Sequence, residues 1–192
     1  MAALRTFLLL AALMLASCAS PQVEIRRGEA VKPGQHPDRP LFEWHGDDLT
    51  GPVSISISLA EQKASIYRGG EKAGWTYVAT GTASHPSPRG TFAVQEKIVD
   101  KRSNKYGVIV DAAGDVIDSD ATAGRGSIPS GGRFVGASMP YWMRITSWGV
   151  GMHAGPIPNP GSPASHGCIR LPHEMARTLF TLVKIGTPVT IR

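Results

Sequence analysis

Between Val53 and Leu59 the chain reads VSISISL, apolar at Val53, Ile55, Ile57 and Leu59 with serines between them. A period of two puts the four apolar side chains on one face of an extended strand and the serines on the other. A strand of this kind must bury its apolar face against a second layer, so the chain has to supply more strands. ASIYRGGEKAGWTYVATGT reads as two strands turned at Gly69 and Gly70. TFAVQEKIV and YWMRIT read as two more, GVGMHA as a short one near His153, and GTPVTIR as the last. Short strands punctuated by glycine-containing turns predict a mainly β domain, sandwich or barrel-like.

One segment has a helical period instead. In PHEMARTLFTLVKIG, residues 172–186, Pro172 occupies a first-turn position with Glu174 close behind. Leu171, Met175, Leu179 and Leu182 share one face and Gly186 supplies a stop, which predicts a single helix in the C-terminal region. The stretch 112–138, AAGDVIDSDATAGRGSIPSGGRFVGAS, is polar and rich in glycine, and reads as a long loop, a lid beside the site or a disordered segment.

The N-terminus, MAALRTFLLLAALMLASCAS, has one arginine, an apolar run from Phe7 to Leu15, and then small residues. The run is too short to span a bilayer and has the form of a secretory signal. Leu15-Ala16-Ser17-Cys18 resembles the bacterial lipobox, which implies that 1–18 is a lipoprotein signal segment cleaved before Cys18, with the lipidated Cys18 as the first mature residue. The alternative is an ordinary signal peptide cleaved nearby, with Cys18 incidental. Ala19 and Ser20 are not the aspartate of inner-membrane retention, so the resemblance implies an exported, periplasmic protein anchored to the outer membrane. Residues 19–50 are rich in Pro, Gly and charge with no apolar period, and are expected to be a tether spanning roughly 30 Å. Residues 51–192 are then one domain, of a size that buries a good core.

The chain of 192 residues has a net charge of +5, and removing Arg5 with the signal leaves the mature chain near +4. No Lys/Arg run exceeds two residues, and the aromatics are not interleaved with basic clusters, so nucleic acid is not an expected partner.

With Cys18 lipidated, Cys168 in ASHGCIRLP is the remaining thiol and has no intramolecular disulfide partner. An unpaired thiol in an exported protein needs a reason to exist, although free cysteines are also buried as small hydrophobes. His153, His166 and His173 lie in the same window, and a histidine within reach of a thiol can take its proton. Glycines and prolines from Gly155 to Pro163 let the chain turn back and bring His153 to Cys168. The same residues, with His166-x-Cys168 and either His153 or His173, suit zinc. Paired Cys-x-x-Cys or His-x3-His elements are absent, so neither a metal nor another cofactor is expected.

The run MHAGPIPNPGSPASHGCIRLP resembles the L,D-transpeptidase catalytic domain, also called the YkuD domain. Its signature is a histidine, a mid-teens spacer, Ser/Thr-His-Gly-Cys, an apolar residue and Asn or Arg, filled here by His153, Ser165, His166, Gly167, Cys168, Ile169 and Arg170. GTASHPSPRGTF, residues 81–92, is similar to a second family segment, with Ser87 where Thr is usual. KRSNKY and MPYWMRIT are similar to one branch. The resemblance covers about residues 52–192 and implies acyl transfer on peptidoglycan stem peptides by a lipid-anchored monomer. Cys168 would be the nucleophile and His153 the general acid/base, with Gly167 and Cys168 lending oxyanion-hole amides. Ser165, His166 and Arg170 would line or buttress the pocket. His173 is expected at the surface, and Trp142 and Trp148 in the core or pocket wall. Acceptors other than a second stem, including water in an L,D-carboxypeptidase, and a catalytically silent wall-binding lipoprotein are the alternatives. A thiol activated by His153 is expected to be partly ionised near neutral pH and to be acylated by carbapenems. Ala154 stands where some members have a serine that orients the histidine.

Overall fold

A computed structural model describes residues 40–192. Cys18, the signal segment and residues 19–39 of the expected tether lie outside the described residues. The first described elements are β1 (Phe42–Trp44), β2 (Val53–Ser58), β3 (Lys63–Arg68), β4 (Glu71–Tyr77) and β5 (Gly90–Ala93). They are followed by β6 (Glu96–Val110), β7 (Val116–Thr122), β8 (Arg133–Arg144), β9 (Gly151–Ala154) and β10 (Ile169–Leu171). Helix α1 (His173–Leu182) and β11 (Pro188–Ile191) complete the fold. Among the described residues it is mainly β with one helix, after Cys168, as expected.

The strands form a six-stranded sheet in the order β1-β4-β3-β2-β11-β5 and a five-stranded sheet in the order β10-β9-β8-β6-β7. The period-two pattern of β2 performs as its chemistry requires: Val53, Ile55 and Ile57 are buried and the serines between them are not. Val189 and Ile191 of β11 pair in parallel with Ile55 and Ile57, extending the apolar face. From the other sheet Met143, Met152, Ala154, Ile169 and Leu171 enter the same core, and Met175, Ala176 and Leu179 of α1 close it. Each fully buried aliphatic side chain contributes about 1.5–3 kcal/mol relative to exposure.

Three strand boundaries and one helix boundary differ from the sequence-based expectation. Phe42–Trp44, inside the stretch read as tether, is a strand paired with Gly74–Thr76 of β4, so the fold reaches further toward the N-terminus than residue 51. TFAVQEKIV is two strands, divided at Val94 and Gln95. Residues 112–138 are not one long loop, because β7 and the first half of β8 lie within them and both pair with β6. Of β7 only Ala121 is buried. A strand with its first five residues exposed leaves no hydrophobic alternation to detect. Asp111 Oδ1 organises the turn into it by accepting from the Ala113 and Asp115 N–H groups, each at 2.9 Å.

The helix is shorter than its period implied. It ends at Leu182, and Val183 turns to extended backbone while its N–H still donates to the Leu179 carbonyl at 2.8 Å. Val183 is fully buried. The reversal into β11 is made at Gly186, whose φ of +90° suits glycine.

Candidate functional site

Strands β9 and β10 run parallel, with Met152 opposite Ile169, His153 opposite Arg170 and Ala154 opposite Leu171. Register partners in a sheet project to the same side, and residues two apart along a strand share a face. Met152, Ala154, Ile169 and Leu171 therefore enter the core, while His153 and Arg170 face away from it. Cys168, two residues before Arg170, falls on their face. Gly151 stands two residues before His153, and its backbone N–H favours the thiolate form of Cys168. The alternation of two short strands thus gathers thiol, imidazole and guanidinium at the floor of a cleft of about 750 Å³.

His153 is 6% exposed, and its Nδ1 lies 2.8 Å from the Ala154 carbonyl. A carbonyl only accepts, so Nδ1 carries the proton and Nε2 is left as the acceptor. With no serine side chain at position 154, the partner of Nδ1 is this backbone carbonyl. The Trp142 ring lies 6.0 Å from the His153 ring, and its Nε1 donates to Glu96 Oε2 at 3.1 Å. Trp142 is both core and wall. Trp148, by contrast, is 68% exposed on the rim, with its edge toward Phe92.

Burial pushes the Cys168 thiol up from its ordinary value, against the Gly151 N–H and the Arg170 charge, which both favour thiolate. Burial likewise pulls His153 down to about 4, with the Ala154 bond opposing the shift and Arg170 adding to it. The resting pair is therefore neutral thiol and neutral imidazole. This reverses the expectation of a partly ionised thiol, and the reason is desolvation, which penalises both charged forms. A neutral imidazole with a free Nε2 is nonetheless a competent base, taking the proton as the sulfur attacks.

The loop before Cys168 is held from both sides. Ser165 Oγ accepts from the Gly167 N–H at 3.1 Å and donates to the Cys168 carbonyl. Ser87 Oγ donates to the Gly167 carbonyl at 2.7 Å and accepts from the Gly81 N–H at 2.9 Å. Ser87 therefore ties segment 81–92 to the Cys168 loop, a role its position in the sequence did not reveal. Buried Gln62 anchors the same segment, its amide bonding the Thr80 N–H at 2.9 Å and the Thr80 Oγ1 at 2.7 Å. Gly167 has φ of +112°, a conformation that side-chain-bearing residues rarely adopt. Its N–H, expected to serve an oxyanion together with that of Cys168, donates here to Ser165 Oγ.

His166 lines the cleft, but its Nε2 lies 3.1 Å from Asp120 Oδ1 on β7. Its ring stacks on Tyr106 at 4.6 Å and meets His85 at 4.7 Å. Asp120, Tyr106 and His85 were not singled out from the sequence, because β7 had no strand signature and Tyr106 lies in an irregular part of β6. His173 is exposed on α1 beside Glu174 and Tyr141, apart from the lining of the cleft. Among the described residues no group of three or more His, Cys, Asp or Glu side chains is placed to hold a metal.

A thiol and an imidazole on one face beside a parallel strand pair are an arrangement that nucleophilic cysteine chemistry uses. The chain belongs to the YkuD family, the L,D-transpeptidase catalytic domain, whose model matches residues 52–191. It is 34% identical over 117 residues to the probable L,D-transpeptidase 3 of Mycobacterium tuberculosis, covering 58% of this chain and 36% of that protein. The chain thus spans little more than a third of that relative. An L,D-transpeptidase structure from Mycobacterium smegmatis has the same fold, with a TM-score of 0.55, 23% identity, and coverage of 74% of this chain and 59% of that one. The L,D-transpeptidase LdtMt1 in complex with imipenem is similar at a TM-score of 0.54 and 25% identity, covering 73% and 58%.

Proposed function

We propose that the protein is a cysteine-dependent L,D-transpeptidase acting on peptidoglycan stem peptides. Cys168 Sγ attacks the carbonyl of the third stem residue as its proton passes to His153 Nε2. The Cys168 N–H donates to the developing oxyanion. The C–N bond then breaks, His153 returns the proton to the departing D-residue amine, and the stem remains as a thioester on Cys168. An acceptor amine attacks the thioester, His153 takes the amine's proton, and the thiol is restored. The observation that carries this reading is the single face shared by His153 and Cys168, with Nδ1 tied to Ala154 and Nε2 left free. Incubating the full chain with purified tetrapeptide muropeptides tests it. Dimers joined through third residues, absent with Cys168→Ala, support it, and intact tetrapeptides with the folded wild type refute it.

The same proposal includes the sequence-based anchor: Cys18 lipidated, the domain exported and held at the outer membrane near its polymeric substrate. Support for it is the N-terminal sequence alone.

A further inference from the structure

The cleft is one-signed. Lys101, Lys105, Arg144 and Arg170 line it, and no Asp or Glu does. Arg144 is neutralised by Glu96, its Nη2 lying 2.9 Å from Oε2. Arg170 differs. Among the described residues its guanidinium has no carboxylate partner and no side-chain hydrogen bond, although the residue is half-buried beside Cys168. Gly155 makes room for it: a Cβ there would lie 3.0 Å from Arg170 Cγ and 3.1 Å from Cδ. A guanidinium is always charged and presents a fork of donors matched to a carboxylate. Leaving such a group half-desolvated and unpaired costs free energy, which a bound anion would return.

We infer that this site selects its acyl donor by charge: Arg170 binds a free carboxylate of the donor, with Lys101 and Lys105 drawing anionic stems to the mouth. The inference rests on the proposed transpeptidase function and specifies its donor. Residues two apart on a strand face stand roughly 6.5 Å apart, so the carboxylate lies within about a residue's length of the carbonyl that Cys168 attacks. Two donor groups meet that condition: the terminal carboxylate of the departing D-residue and a side-chain carboxylate on the residue acylated. A carboxamide at the same place accepts fewer charge-assisted bonds and leaves the guanidinium unpaired.

The test uses the full chain with three tetrapeptide donors: the free acid, its C-terminal amide and its side-chain amide. The readout is kcat/KM for thioester formation by intact mass. The expected result is a loss of roughly 10- to 100-fold for one of the amides, the range of a charge-assisted hydrogen bond, and the amide affected identifies the carboxylate bound. Arg170→Gln is expected to abolish that acid-over-amide preference, whereas a residue acting only on the thiol or the fold would slow all three donors equally. Should Arg170→Gln not fold, a salt series on the wild type decides, the preference for the acid being expected to shrink modestly as ionic strength rises because a half-buried pair is screened less than an exposed one. Equal rates on all three donors by the wild type, or a preference indifferent to both salt and Arg170→Gln, would overturn the inference while leaving the transpeptidase reading intact. Failure on every donor would overturn both.

Discussion

His153 and Arg170 are register partners across the parallel pair β9–β10, so the imidazole and the guanidinium stand side by side above the same strands. The positive neighbour and the burial act together on His153, and both keep it neutral. On Cys168 they act in opposition, the charge favouring thiolate and burial, the larger effect, favouring thiol.

The first consequence is a pH profile. A neutral thiol paired with a base whose pKa is about 4 is expected to be acylated by imipenem throughout the neutral range, with the rate falling as pH drops through about 4. Alkylation by iodoacetamide, which reports thiolate, should keep rising past neutrality. A plateau of alkylation near neutral pH would show a thiolate–imidazolium pair and contradict this electrostatic account.

Stability has a related acid limb. His153 binds its proton more weakly folded than unfolded, so the fold is favoured above the free histidine value of about 6.5 and loses that contribution as pH falls toward about 4. The full effect is about 3 kcal/mol by linkage. His153→Gln should flatten the loss of stability between these pH values, measured by urea denaturation. An unchanged acid limb in that variant would assign it to other groups.

The two cleft histidines are expected to separate in activity. His153→Ala removes the proton acceptor, and acylation by imipenem should slow by roughly 10²–10⁴-fold. His166→Ala loses a partly exposed contact with Asp120 and the stack on Tyr106, so its effect should be smaller. A folded His166→Ala that is inert, beside an active His153→Ala, would reverse the roles.

Ser87→Ala should destabilise the protein by about 1–3 kcal/mol, because it strands the Gly167 carbonyl and the Gly81 N–H at a buried junction. Thermal denaturation measures this, and imipenem acylation should slow as the Cys168 loop loosens. A melting temperature equal to that of the wild type would mean that the junction is held without Ser87.

At the other end of the chain, Cys18→Ala should move the protein from the membrane fraction to the soluble one and leave acylation at Cys168 unchanged. Wild type recovered soluble with an unmodified N-terminus would remove the anchor from the proposal.

Much of this was legible in the sequence. VSISISL determined its own strand, because alternation over a half-buried surface is a local property that needs no partner to be recognised. The helix after Leu171 and the grouping of Ser165, His166, Gly167 and Cys168 are likewise written within a few residues of chain. Tertiary structure decided what depends on distant backbone. The β7 strand pairs with β6 and is mostly solvent-facing, so its residues left no pattern. The helix ends at Leu182, with Val183 already extended and buried, before the glycine that the sequence offered as its stop. Above all, the protonation of the site came from burial, which no spacing encodes: the same Cys168 and His153 in a wetter cleft would hold a different proton balance. Residue identity determined which groups were available, and desolvation by the packed sheets determined the charge each one carries.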